Sequence, residues 1–268
     1  MDGGIRKIMI SSTANQQIRQ VSALTKKAKM RRETGLFVVE GLRMFEELTR
    51  EQVQKVYASE SFLKEEGHMA MVQKFPHEIV SDDVFKYMSD TQSPQGILAL
   101  VKQPHYTLED ILKQPGEPHL MILETLQDPG NLGTVLRAGE GAGIPGVIMN
   151  ETTADIFNPK VIRSTMGSIY RVPFVYVEDL KDTLKQLKAA GVHIYAAHLK
   201  GKNSYDLEDY KKATGFLIGN EANGLSDEIA DLAETYIRIP MLGRVESLNA
   251  AVAASVLMFE TARQRRDS

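Results

Sequence analysis

Short apolar runs alternate with polar stretches of helical periodicity along most of the chain. In residues 15–27, Ile18, Val21 and Leu24 recur on one stripe, which predicts a helix. Apolar runs at 36–39, 55–58, 78–80 and 97–101 predict strands, and residues 41–50, 61–73 and 81–89 predict helices. Pro104, Pro115, Gly116 and Pro118 then punctuate residues 102–118, around a short helix near 107–113. Beyond them, predicted strands at 119–123, 146–149, 172–175, 193–197, 215–218 and 236–239 alternate with helices at 132–142, 158–167, 179–190 and 226–233. This divides the chain into an α/β domain at 1–104, a linker at 105–118 and a second α/β domain at 119–268. Alternation of strand and helix in the second half argues for a mostly parallel sheet covered on both faces. The last predicted helix, 247–265, is apolar around almost its whole circumference, which predicts burial on all sides, inside the fold or in a subunit interface.

Charge adds a local feature to this pattern. The chain of 268 residues has a net charge of −3, yet residues 1–50 carry ten bases against five acids, +5, leaving −8 for the rest. Lys26, Lys27, Lys29, Arg31 and Arg32 cluster there, with Arg43 further on, which points to a localised polyanion contact or to a solvated helix face. The longest nearly unbroken apolar run, Ala250 to Phe259, falls well short of the roughly 20 residues of a membrane helix. Met1 to Lys7 has no apolar core of the kind a secretory leader needs. With no cysteine there are no disulfides, thiol nucleophiles or cysteine metal sites, a count compatible with a reducing cytoplasm. The six histidines, 68, 77, 105, 119, 193 and 198, show no ligand spacing, so no metal site is expected.

The glycines of Gly141-Ala142-Gly143-Ile144-Pro145-Gly146 match a dinucleotide-binding pattern, but they follow a helix and lead into a strand. A helix C-cap and turn is the reading that fits. Three other strings each leave a predicted strand and open a helix: Gln127 to Ala138, Leu217 to Leu225 and Ile239 to Ala253. Taken singly, Asn131, Ser226 and Ser247 could be helix N-caps, and Arg137 a surface ion-pair partner. Three such loops at the carboxyl ends of strands in one domain form a candidate site.

In this order, the Asn-Leu-Gly…Arg-Ala string at 131–138, Gly219-Asn220-Glu221…Gly224-Leu225, and Ile239-Pro240-Met241…Glu246-Ser247-Leu248-Asn249-Ala250-Ala251-Val252-Ala253 resemble the SpoU/TrmH-type RNA 2′-O-ribose methyltransferases of the SPOUT superfamily, over about residues 119–265. Phe37 to Arg43 and Ser89 to Gly96 resemble the L30e-like substrate-binding module often fused to that family. The resemblance implies a C-terminal α/β domain with a trefoil knot, a small L30e-like N-terminal α/β domain, S-adenosylmethionine as cofactor, a homodimer through the C-terminal domain, no metal, and a cytoplasmic enzyme. A knot is a topology that ordinary chains avoid, and periodicity alone does not reach it. By the same resemblance Arg137, Asn131, Glu221, Ser247 and Asn249 are catalytic candidates, and Gly219, Asn220, Ile239, Met241, Ser247 and Leu248 approach the cofactor. Lys26, Lys27, Lys29, Arg31, Arg32 and Arg43 fall where such modules meet RNA. The implied reaction moves a methyl group to a ribose 2′-hydroxyl. A guanidinium, with a reference pKa above about 12, suits anion binding and charge stabilisation better than proton abstraction. Ribosomal RNA is favoured over tRNA by analogy with the fused module. The alternatives are a tRNA methyltransferase of the same superfamily and a non-catalytic RNA-binding or ribosome-assembly protein that kept the fold.

Overall fold

The structure, a computed structural model, describes residues 9–266. The Met1–Lys7 stretch considered above as a leader, with Arg6 and Lys7 of the basic arm, lies outside the described residues. In chain order the elements up to Pro104 are α1 (Gln16–Lys26), α2 (Ala28–Thr34), β1 (Leu36–Glu40), α3 (Leu42–Glu46), β2 (Val53–Ser59), α4 (His68–Val72), β3 (His77–Val80), α5 (Asp82–Met88) and β4 (Ile97–Lys102). Those after it are α6 (Leu108–Leu112), β5 (His119–Leu123), α7 (Pro129–Ala142), β6 (Gly146–Asn150), α8 (Pro159–Thr165), β7 (Phe174–Val177), α9 (Leu180–Ala189), β8 (His193–Ala197), β9 (Asn203–Ser204), β10 (Thr214–Ile218), α10 (Asp227–Ala230), β11 (Thr235–Arg238) and α11 (Ala250–Arg266).

Two compact units emerge. The first runs to Pro104 and also takes in Phe157–Gly167; the second comprises His105–Ile156 and the chain from Ser168 onward. In the first unit the sheet order is β1-β4-β2-β3, antiparallel except for β2 with β3. The expected stripe of α1 is fully buried at Ile18, Val21 and Leu24, in one core with Val84, Phe85 and Met88 of α5. Asn15 caps α1 by accepting a hydrogen bond from the Gln17 N–H at 2.9 Å. The pattern at 61–73 does not give one helix: Gly67, at φ +83°, separates a 3₁₀ turn at Phe62–Lys64 from α4. Helix α2 is an addition to the expected elements. It restarts after Lys27 takes extended backbone and ends at Gly35 in the left-handed region.

The second unit has a seven-stranded sheet in the order β7-β6-β5-β10-β8-β11-β9, and every pairing is parallel. Strands β5 and β10 are buried along their whole length, as unbroken apolar runs in a parallel sheet should be. Residues 158–167 do form the expected helix, α8, but its core is that of the first unit. Phe157 sets its ring 5.0 Å from Phe37 of β1, and Arg163 donates to Asp90 at 3.0 Å. The glycines at 141 and 143 end α7, with Gly143 at φ +73° as its C-cap.

Helix α11 is buried on one side only in the single chain. Ala251, Ala254, Leu257 and Met258 are buried, whereas Val252 and Phe259 are exposed in the single chain. Apolar residues surround the helix, but only one side meets the rest of its own unit, where α7 lies against it through Gly139 and Gly141. Small residues at the crossing let the two helices approach closely.

Candidate active site

Adjacent parallel strands β5 and β10 end level with each other, Leu123 opposite Ile218, so the loops that follow them start side by side. Asp128 and Pro129 open α7 one turn earlier than the periodicity suggests. The Asp128 carboxylate accepts from the Asn131 N–H at 2.9 Å, and Pro129 occupies the first helical position. Asn131 is therefore not the cap, and its side chain is left for other bonds. Its amide donates to Glu221 at 3.0 Å, and its carbonyl oxygen accepts from Asn249 Nδ2 at 3.0 Å. Glu221 also accepts from the backbone N–H groups of Gln127 at 3.0 Å and Asp128 at 2.8 Å. Burial pushes its carboxyl up, but the hydrogen bonds from Asn131 and the two backbone groups outweigh that and hold it below the usual carboxylate range.

One loop back, Thr125 sits at φ +57°, a strained position for a β-branched residue. Each of its polar groups is held. Its N–H donates to Asn150 Oδ1 at 2.8 Å, its hydroxyl accepts from Asn150 Nδ2 at 3.0 Å, and its carbonyl accepts from Asn220 Nδ2 at 2.9 Å. Asn220 Oδ1 accepts from the N–H groups of Ala222 and Asn223, and its backbone closes a tight loop with Gly224. A side chain on Gly219 would run into the backbone of Gly224 and Leu225, so glycine is required here by the loop's own closure.

The third loop differs. From Ile239 to Leu248 the backbone makes no hydrogen bond among the described residues, and no helix or strand forms. Ile239, Met241 and Leu248 are half-buried, while Ser247 is exposed. From β11 the loop must return past β8 and β10 to reach Asn131. That is three strand spacings, about 14 Å, and residues 239–249 can span it easily, reaching about 36 Å when extended. Asn249, rather than Ser247, caps α11, accepting from the N–H groups of Ala251 at 2.9 Å and Val252 at 3.3 Å.

Arg137 lies six residues beyond Asn131 on α7, about 9 Å further along the helix axis. It is exposed, and its guanidinium has no partner among the described residues. Glu221 holds Asn131 and leaves Arg137 alone. The structure thus brings Asn131, Glu221 and Asn249 into one network, and keeps Arg137 and Ser247 open. It places Ile239, Met241 and Leu248 on a loop with no hydrogen bond to the other two loops among the described residues. Sequence reasoning missed Asp128, Thr125 and Asn150; the Asp-Pro pair at a helix start was the available signal for the first.

Among the basic residues, Arg31 requires a correction. It is 3% exposed and donates to the carbonyls of Leu24 at 2.6 Å and Thr25 at 3.2 Å, ending α1, so it is not available to RNA. Lys26, Lys27, Lys29, Arg32 and Arg43 are exposed; Lys26 lies 5.4 Å from the Tyr87 ring centre and Lys29 pairs with Glu33 at 3.7 Å. Among the described residues no group of three or more histidines and carboxylates is placed to hold a metal, and no helix is long and apolar enough to cross a membrane.

Comparison with known proteins fits this geometry. Residues 118–259 match the SpoU rRNA Methylase family, and residues 15–99 match an MRM3-like substrate binding domain. The 23S rRNA (guanosine(2553)-2′-O)-methyltransferase RlmP of Bacillus subtilis is 30% identical over 93% of this chain and 97% of its own length. An AdoMet-bound rRNA methyltransferase from Sinorhizobium meliloti has a TM-score of 0.83 and 32% identity, covering 96% of this chain and 97% of that one. The SpoU methyltransferase AviRb of Streptomyces viridochromogenes, also solved with AdoMet, has a TM-score of 0.85 and 26% identity, over 95% and 99% of the two chains.

The chain belongs to the SpoU rRNA methylase family and is an RNA 2′-O-methyltransferase that uses S-adenosylmethionine. The residues present fit that cofactor. Unpaired backbone donors and acceptors from Ile239 to Leu248 suit a ligand held chiefly by main-chain groups, beside a second loop closed tightly by Gly219.

Proposed function

We propose that the substrate is ribosomal RNA, with Arg137 as the residue that meets the reacting ribose. Similarity to the 23S rRNA methyltransferase RlmP over 93% of the chain supports the substrate, and the partnerless guanidinium of Arg137 on the same helix as the fixed Asn131–Glu221 pair supports the residue. A guanidinium offers five N–H donors and no lone pair, so Arg137 holds a target phosphate bidentately and stabilises charge developing on the 2′-oxygen. When bound, S-adenosylmethionine supplies an electrophilic methyl group on a sulfonium. Asn131, Glu221 and Asn249 act as positioning residues, fixing α7 and the start of α11. Gly219, Asn220, Ile239, Met241, Ser247 and Leu248 line the cofactor side, the Asn220 side chain shaping its loop from within. Lys26, Lys27, Lys29, Arg32 and Arg43 of the first unit contact RNA.

A trefoil knot and a homodimer through the C-terminal domain belong to the same reading. The loop 239–248, without backbone hydrogen bonds among the described residues and returning across the sheet, supports the first, and exposed Val252 and Phe259 on α11 support the second. The reading also implies a cytoplasmic enzyme. Tritium transfer from labelled S-adenosylmethionine to purified rRNA and tRNA, followed by mapping of alkali-resistant linkages, tests the substrate. Label at one resistant site in rRNA is expected. Label confined to tRNA would overturn the substrate assignment, and no label in rRNA, tRNA or ribosomal particles would favour the non-catalytic alternative.

A further inference from the structure

Among the described residues, two that are not glycine take positive φ, Thr125 at +57° and Met166 at +50°. Met166 ends α8, where a left-handed residue is an ordinary helix stop. Thr125 ends no helix. It lies two residues beyond β5, between Glu124 and Leu126. The Glu124 N–H continues the sheet by donating to the Ile218 carbonyl at 2.9 Å, and Leu126 is fully buried. A β-branched side chain crowds its own backbone in this region, so the conformation persists only where neighbours impose it.

Asn150, the last residue of β6, is such a neighbour. Its Oδ1 accepts from the Thr125 N–H and from the Thr153 hydroxyl, each at 2.8 Å. A backbone N–H can only donate, which settles which end of the amide is oxygen. Nδ2 then donates to the Thr125 hydroxyl at 3.0 Å, and that hydroxyl and the Thr152 hydroxyl bond at 2.8 Å. The Ala154 N–H ties the same two loops together by donating to the Leu126 carbonyl at 2.8 Å. None of these bonds is made to Asn131, Glu221 or Asn249. They lead instead to the loop after β10. The Thr125 carbonyl accepts from Asn220 Nδ2 at 2.9 Å, and Asn220 Oδ1 accepts from the N–H groups of Ala222 at 3.0 Å and Asn223 at 3.1 Å.

Two side-chain amides thus meet on one backbone unit. If Thr125 returned to negative φ, the rigid peptide planes on either side of its Cα would turn relative to each other. Its N–H could then no longer face Asn150 while its carbonyl faces Asn220. Asn220 would lose the anchor of its side chain, and with it the orientation that pairs Ala222 and Asn223. We propose that Asn150 is a positioning residue for the cofactor: it holds Thr125 in the left-handed region, and through the Thr125 carbonyl it fixes Asn220 and the 219–225 loop. The proposal rests on the reading of that loop as the cofactor side. It adds a residue from β6, a strand that leads into none of the three loops of the candidate site. A residue that merely filled space here would act independently of position 125. Asn150 does not, because glycine at 125 would take φ +57° without strain and remove the need for it.

The test is a double-mutant cycle on the full chain, read by calorimetric titration with S-adenosylmethionine, which does not depend on methyl transfer. Asn150→Ala should weaken cofactor binding about tenfold, the size of effect that releasing one strained residue allows. On rRNA the cofactor KM should rise by about the same factor, with kcat at saturating cofactor within about twofold of wild type. Adding Thr125→Gly to Asn150→Ala should restore affinity to within about threefold of wild type, a rescue that lost packing would not give. Wild-type affinity in Asn150→Ala, or a loss that glycine leaves in place, overturns the proposal. If Asn150→Ala melts early, Thr125→Gly is compared with the double variant: equal affinities support the relay, and a difference of about tenfold overturns it. Hydrogen exchange of the Ala222 and Asn223 amides in the cofactor-free protein shows which part has failed. Unchanged exchange in Asn150→Ala sinks the relay, whereas faster exchange with unchanged affinity keeps the relay and sinks the loop as the cofactor side.

Discussion

Arg137 of α7 and Arg265 of α11 sit on two helices that pack together, and their guanidinium groups have opposite surroundings. Arg265 donates to four carbonyls: Glu117 at 2.6 Å, Lys212 at 2.7 Å, and Pro118 and Tyr210 at 3.0 Å each. Gln264 beside it accepts from the Tyr210 N–H at 2.8 Å and donates to Glu208. The end of α11 is thereby tied to the segments that enter β5 and β10. Arg137 has none of this. A saturated guanidinium fixes structure, while an open one is available to an anion, so in the proposed reading identical side chains one helix apart divide stability from chemistry. Arg265 bonds to backbone outside its own helix, a role beyond the favourable electrostatics of a base at a helix C-terminus.

Replacing each arginine in turn should break this division if it is wrong. Arg137→Ala should lower methyl transfer to rRNA about a thousandfold, equivalent to about 4 kcal/mol of barrier, with melting temperature and cofactor binding retained. Wild-type-like turnover would remove Arg137 from the site. Arg265→Ala should cost about 2–3 kcal/mol of stability by leaving several carbonyls without their charged donor, read as a lower urea midpoint with rRNA turnover little changed at 20 °C. A large turnover loss in a fully folded Arg265→Ala protein would contradict the division.

The contrast between loops can be sharpened by hydrogen exchange. Adding S-adenosylmethionine should slow the amides of 239–248 at least tenfold, about 1.4 kcal/mol, and leave Gln127, Asp128 and Asn131, already hydrogen-bonded, nearly unchanged. Equal protection of both sets would show that the third loop is not the one the cofactor completes.

A pH-dependent effect lies beside Arg265. His119 is 3% exposed, its Nε2 has no partner, and burial, with the charge of Arg265, holds its pKa down at about 3. An unfolded histidine titrates near 6.5, so between those values only the unfolded chain takes the proton. Its contribution to stability is intact above pH 6.5 and falls by about 1.4 kcal/mol per unit as pH drops through the window. Urea midpoints of wild type and His119→Phe should diverge in slope between pH 6.5 and 5; parallel slopes would refute the assignment.

Much of the candidate site was legible because its first two loops follow unbroken apolar strands, β5 and β10. Leu217-Ile218 running into Gly219-Asn220-Glu221 marks a strand end whatever the tertiary fold, and the parallel sheet follows from the alternation, except for the two-residue β9, which no apolar run announces. The partners were not legible. Glu221 meets Asn131 across 90 residues and Asn249 meets it across 118, and nothing local encodes such pairs. Arg31 looks like any exposed base until the end of α1 is seen to need its donors. Helical periodicity in 158–167 gives a buried face but not the core that receives it.

That last feature bears on synthesis. Strands β6 and β7 are neighbours in one sheet, yet the chain between them leaves to finish the other unit, laying Phe157 on Phe37 and Arg163 on Asp90. A nascent chain emerging from its N-terminus cannot complete the first unit at Pro104. The Phe37 face waits uncovered until residue 167 has been made, a delay of several seconds at about 5–20 residues per second. A fragment ending at Pro104 should bind a hydrophobic dye, and a separate peptide of residues 157–167 should displace it; no dye binding would show that the first unit closes by itself. In the intact protein, neither unit is finished before the other has begun.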